Sequence, residues 1–180
     1  MKALVLYESM FGNSELVARA VGEGLARHLD VEVRDVTECT PGVIPEDVDL
    51  LVAGGPTHAF SMTRPSTRED AVRQGAHQGL VARGLREWLD GLPADLRRLP
   101  FVAFDTRVSR ARRVPGSAAR SAARALRRRH GRIVAPTESF YVDDVAGPLA
   151  GDELTRARQW GERVGASVLR GSSTGDLEAG

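Results

Sequence analysis

Short apolar runs alternate with amphipathic stretches along this chain, and the alternation sets the expected architecture. Residues 3–7 (Ala-Leu-Val-Leu-Tyr) contain no interleaved polar position, as in a strand covered on both faces. Leu16, Val17, Ala20, Val21, Leu25 and Leu29 then recur at helical spacing, and Asp30 closes that helix. Residues 31–36 alternate apolar and charged side chains with period two, which fits an edge strand with one solvated face. A second buried run, 48–54, stops at Gly54-Gly55-Pro56 and enters a long loop, where Ser66 and Glu69 have capping-box spacing for a turn of helix reaching Val72. Leu85, Trp88, Leu89 and Leu92 mark a helix within 80–92, and residues 100–104 a third buried strand. Ala119, Ala122, Ala123 and Leu126 face the core from the next helix, with Arg120, Arg124, Arg127 and Arg128 opposite. Residues 133–135 begin a last strand that continues as 140–142 beyond a break at Pro136. Asp152 caps a final helix bearing Leu154, Ala157, Trp160, Val164 and Val168. Five strands alternating with helices predict an α/β three-layer sandwich around a five-stranded parallel sheet in the order 2-1-3-4-5.

That order brings the exits of strands 1, 3 and 4 to one edge of the sheet, where they form a crevice. The first exit, Ser9, Met10, Phe11, Gly12, Asn13 and Ser14, runs from a buried strand straight into a helix. The open N–H groups and positive end of such a helix attract an anion, Ser9 and Ser14 add hydroxyl donors, and Gly12 lets backbone approach closely. The second exit supplies Pro56, Thr57, His58, Ala59 and Phe60; the third, taken to begin at Asp105, supplies Asp105, Thr106 and Arg107. A flat aromatic ligand with a phosphate tail suits this crevice. His58, a lone loop histidine, reads as solvated or hydrogen-bonded rather than as a proton donor.

Residues 7–15, Tyr-Glu-Ser-Met-Phe-Gly-Asn-Ser-Glu, resemble the FMN phosphate loop of flavodoxins, and the Ser-Met-aromatic-Gly-Asn version is most similar to flavodoxin domains of the flavodiiron type. Gly55-Pro56-Thr57 resembles the strand 3 exit of that family, and the likeness in element order extends over residues 1–170. The resemblance implies FMN as cofactor: Ser9, Met10, Gly12, Asn13 and Ser14 on its phosphate, Pro56 and Thr57 along the flavin, and residues 105–107 near its pyrimidine edge. It also implies electron transfer with a protein reductant, since nothing in the chain provides a nicotinamide domain. Flavodoxins commonly sandwich the ring between aromatic side chains. Here the third loop has none, leaving Phe60 and His58 of the second to stack; an aromatic stack contributes about 0.5–1.5 kcal/mol beyond area burial.

Composition narrows the picture further. With 180 residues, 42% hydrophobic and net charge +1, the chain reads as one domain over 1–170 with an unstructured tail at 171–180. The lack of a leader-like start or an apolar span gives the expectation of a cytoplasmic, membrane-free protein. A single cysteine, Cys39, permits no intrachain disulfide. The near-neutral total conceals a basic middle, because residues 64–132 hold 17 basic and 6 acidic groups and no acid falls between Asp105 and Glu138. Without interleaved aromatics or a reader motif this span does not read as a nucleic-acid binder. Arg107, Arg110, Arg112 and Arg113 give the crevice a basic rim that favours reduced, anionic flavin and selects a redox partner with an acidic docking face. Two other readings stay open: an FMN-dependent NAD(P)H:acceptor oxidoreductase of quinone-reducing type, and a flavin-free scaffold on the same fold.

Overall fold

The computed structural model describes residues 1–76, 81 and 83–175. Its element order is β1 (Lys2–Tyr7), α1 (Asn13–Leu25), β2 (Asp30–Asp35), β3 (Val48–His58), β4 (Ser61–Met62), α2 (Pro65–Arg73), α3 (Leu85–Asp90), β5 (Pro100–Val108), α4 (Ala118–Arg128), β6 (Arg132–Ile133), β7 (Glu138–Val142) and α5 (Glu153–Gly175). The sheet order is β2-β1-β3-β5-β6, with parallel pairing along this path.

The sheet has seven strands where the pattern predicts five. Pro136 splits the expected last strand, so β6 pairs with the start of β5 at Pro100 and Phe101 while β7 pairs with its end from Phe104 to Val108. The remaining strand, β4, is a short antiparallel return on β3. Both β3 and β5 also run further than their apolar cores suggest. Gly55 pairs with Asp105 and Pro56 with Thr106, so residues read as loop belong to the ladder.

Period two divides the core between the two faces of the sheet. Leu4, Leu6, Leu51, Ala53, Phe101 and Ala103 meet Leu85 and Trp88 of α3 and the alanine stripe of α4. On the other face, Ala3, Val5, Leu50, Val52, Val102 and Phe104 meet Val17 and Val21 of α1 and Trp160 and Val164 of α5. Leu16, assigned to the core face of α1, is instead 49% exposed, since one residue from Val17 is a turn of about 100° off the stripe. The start of α2 also differs from expectation. Pro65 occupies its first turn, and the Thr67 hydroxyl accepts from Arg64 N at 2.8 Å and donates to Arg64 O at 3.0 Å, so Ser66 and Glu69 do not make the cap. Helix α5 continues past Gly171 to Gly175; the rest of the expected tail, like Leu80 of the expected third helix, lies outside the described residues. Among the described residues, no helix is long and apolar enough to cross a membrane.

Candidate functional site

The exits of β1, β3 and β5 do converge, around a cavity of about 320 Å³. Ser9, Met10, Phe11, Asn13, Ser14, Pro56, Thr57, His58, Ala59, Thr106 and Arg107 all line it. Its floor is set by α1. Gly12 precedes this helix with φ +85°, a left-handed conformation that favours glycine, and the helix opens directly at Asn13. No protein atom lies within 4 Å of the position of a Gly12 Cβ, so within the chain the glycine is required by its backbone angle. The Ser14 hydroxyl lies 2.7 Å from that of Thr106, joining the first exit to the third. The Ser9 hydroxyl is buried and has no hydrogen-bond partner among the described residues. A buried hydroxyl without a partner costs free energy, so this one is left open to an acceptor from outside the chain.

The second exit is a hairpin whose turn, Ala59 and Phe60, has φ of 45° and 64°. Both residues sit in the left-handed region, as a type I′ turn requires. The turn leaves Phe60 exposed at the hairpin tip and outside the cavity lining, whereas His58 lines the cavity. Burial holds the His58 imidazole below its ordinary value, so it is neutral at pH 7 and adds no positive charge.

Asp105 is the clearest departure from the sequence reading. It is fully buried and outside the cavity lining, with Oδ2 accepting from Ala119 N at 2.9 Å. Thr57 Oγ1 accepts from Ala118 N at 2.8 Å and Ser117 Oγ from Arg120 N at 3.2 Å. Three side chains thus cap the first turn of α4, and Asp105 is spent on the cap. The basic rim is also smaller than expected. Of its four arginines only Arg107 lines the cavity, with Nη2 donating to Ala111 O and Val114 O. Arg110 lies 3.5 Å from Asp144 and Arg112 stacks 4.2 Å from the Tyr141 ring centroid, both away from the cavity.

Two further segments close the cavity that the sequence reading did not include. Thr67, Asp70 and Ala71 of α2 and Gln74 just after it line one side, with Ala71 packed against Met10. Val142 and Val145 line another, where Asn13 Nδ2 donates to Ala146 O at 3.1 Å. The length of the second loop is a sequence signal for the first of these; the second has none.

Below the first exit lies a buried polar network. Glu8 Oε1 accepts from Thr63 Oγ1 at 2.6 Å and Oε2 from Leu85 N at 2.8 Å. The fully buried Arg68 donates from Nη1 to Thr63 Oγ1 at 2.9 Å and from Nε to Val81 O at 3.1 Å, and its Nη2 lies 3.0 Å from Glu87 Oε2. The network ties the first exit, α2 and α3 together. Burial pushes the Glu8 carboxyl above its ordinary 4.5, outweighing the opposing pull of Thr63, Leu85 N and Arg68. A raised folded-state value adds stability that is complete below 4.5 and is lost as pH rises through the folded value. Wild type should therefore lose stability relative to Glu8→Gln between pH 4.5 and pH 8. Urea unfolding of both proteins across that interval measures the difference; parallel curves would refute the assignment.

Solved structures share this arrangement of sheet, helices and exits. An archaeal flavodoxin superposes over 93% of this chain and 99% of its own, with TM-score 0.60 at 19% identity. Flavodoxin 1 from Bacillus cereus does so over 94% and 98%, with TM-score 0.65 at 18% identity. The fold is that of the flavodoxins. The Flv1 flavodiiron core from Synechocystis sp. PCC6803 also matches, over 95% of this chain but 36% of its own, with TM-score 0.58 at 13% identity. That match is again one of fold, and the flavodiiron version of the phosphate loop rests on residues 9–13 alone. No protein-family model matches the chain, and no curated protein does. In this flavodoxin-like frame the cavity sits at the carboxyl edge of β1, β3 and β5, beside the point where the strand order reverses.

Proposed function

We propose that this chain binds FMN and exchanges electrons with a partner protein. The observation that carries the reading is the buried, partnerless Ser9 hydroxyl beside the open N-terminus of α1, at the strand-order switch of a flavodoxin-like sheet. The residues fit the phosphate end of the cofactor. Ser9 and Ser14 provide hydroxyls, the first turn of α1 provides N–H groups without intrahelical partners, and no acidic side chain comes from the loop itself. A cavity of about 320 Å³ falls at the small end of cofactor sites.

FMN, when bound, supplies the electron-accepting chemistry. Pro56, Thr57, Ala59 and the neutral His58 would cover the ring on the β3 side. Arg107 would place a positive charge on the β5 side, and Val142 and Val145 would exclude water. Asp105 stays behind the lining, with Oδ2 held by Ala119 N of α4.

Titration of the flavin-free protein with FMN and with riboflavin tests the reading. FMN should bind and riboflavin, which lacks the phosphate, should bind far more weakly. A hydrogen bond to a charged group contributes about 1.5–3 kcal/mol, so Ser9→Ala should weaken FMN roughly ten- to a hundredfold and leave riboflavin unchanged. Equal affinity for the two ligands, or no binding of FMN, would refute the proposal. Anaerobic NAD(P)H alone should leave the bound flavin oxidised; rapid bleaching would instead identify a self-sufficient NAD(P)H:acceptor oxidoreductase.

A further inference from the structure

Among the described residues, four of the arginines that make no ion pair cluster on α4. Arg19, Arg27, Arg34, Arg68, Arg73, Arg110, Arg156 and Arg158 each pair with a carboxylate. Arg120, Arg124, Arg127 and Arg128 are exposed and make no ion pair among the described residues. Their spacing of four, three and one stacks them on one helix face, over about 12 Å at 1.5 Å per residue. Like charges at i and i+4 repel, so the stripe costs stability within the isolated chain. They wall a groove of about 560 Å³ whose apolar surface comes from Ala123, Ile133 and Pro136.

We infer that this stripe is a docking site for an acidic protein surface. Guanidinium groups form two-pronged hydrogen bonds with carboxylates, and an apolar floor gives a protein side chain something to bury against. A single-stranded nucleic acid would need aromatic platforms, and the groove lining holds none. The groove also connects to the candidate site, since α4 begins with Ala118 N on Thr57 Oγ1. From that end the stripe runs toward Ile133, which pairs with Phe101 near the start of β5, so a partner held along α4 lies on the flank of the sheet with one end at the cavity rim. On the FMN reading above, with which this inference is linked, that partner is the electron donor or acceptor.

The test uses the full chain and labelled poly-L-glutamate as probe, at low and at physiological ionic strength. Wild type should bind, with affinity falling as salt rises. Arg120→Gln/Arg124→Gln/Arg127→Gln/Arg128→Gln should bind at least about tenfold more weakly, because it removes four exposed ion pairs, and the matching Arg→Lys variant should retain binding. Glutamine is as good a helix former as arginine, and a thermal melt verifies the fold. A control with the same loss of charge, Arg19, Arg27, Arg34 and Arg158 all to Gln, should bind like wild type. Equal weakening in the two Gln variants, or no binding by wild type at low salt, would overturn the inference. Tighter binding of a single-stranded oligonucleotide than of polyglutamate, lost in the same α4 variant, would reassign the stripe to nucleic acid. An FMN titration on the same samples separates the two claims, since flavin binding without polyglutamate binding sinks only the docking site, and the reverse result sinks only the flavin reading.

Discussion

Arg68→Met is expected to destabilise the protein by about 1–3 kcal/mol or more near pH 8, the range for leaving buried hydrogen-bond partners unsatisfied. Arg68 is fully buried and holds Thr63 Oγ1, Val81 O and Glu87 at once. Thr63 in turn donates to Glu8. Methionine keeps much of the volume but removes the positive charge, leaving Thr63 Oγ1 and Val81 O without their donor and Glu87 without its counter-charge. The loss should shrink as pH falls, because burial raises the Glu8 carboxyl, Arg68 opposes that rise, and a protonated Glu8 no longer needs a counter-charge. Adding Glu8→Gln to Arg68→Met should recover part of the stability at pH 8 and little of it at pH 5. Chemical denaturation of the two single variants and the double at both pH values measures each term. A loss independent of pH would mean that Arg68 acts through packing alone. The network reaches function through position: Glu8 adjoins Ser9, and α2 carries Ala71 onto Met10, so its loosening should also weaken any ligand held by the loop.

The parts of this site that the sequence made legible are local, and the parts it hid are not. Residues 9–14 could be read because strand, turn and helix start lie within a dozen neighbours, and each has its own signal in apolar run, glycine and hydroxyls. The core was legible for the same reason, since period two along residues 3–7 and 48–53 sends alternate side chains to opposite layers. Arg68 was hidden, because an arginine in Pro-Ser-Thr-Arg-Glu-Asp looks like solvated helix and Glu8, which it reaches through Thr63, stands far away in sequence. Asp105 misled in the opposite sense. A carboxylate at a strand exit invites a ligand role, and only the placement of α4 over it reveals a cap. The third-loop arginines likewise looked like a rim until Asp144 and Tyr141, from the segment after β6, drew two of them aside. Such pairings are set by which distant segments pack together, and neither periodicity nor composition carries that.

Gly54→Ala should be the most damaging single methyl group in the sheet. Gly54 pairs with Phe104 across β3 and β5, and a Cβ there would lie 2.0 Å from Phe104 Cζ. The ring cannot swing away. It is fully buried and edge-on to Phe140 at 6.0 Å and to Trp160 at 6.3 Å, so relief would have to come from the strands. The cost should reach about 3 kcal/mol or more, the upper end for overpacking. Phe104→Leu removes the ring end that clashes, and the double variant Gly54→Ala/Phe104→Leu should be more stable than the sum of the single losses predicts by about 0.5–3 kcal/mol, the range for residues in contact. Simple additivity would show that the strain is relieved elsewhere. The two residues that follow Gly54 lead to Thr57, which both lines the cavity and receives the first N–H of α4. Parting β3 from β5 should therefore lower FMN affinity in Gly54→Ala and restore it in the double variant. A methyl group placed outside the cavity lining would then be read out at the ligand, through the ladder that positions both.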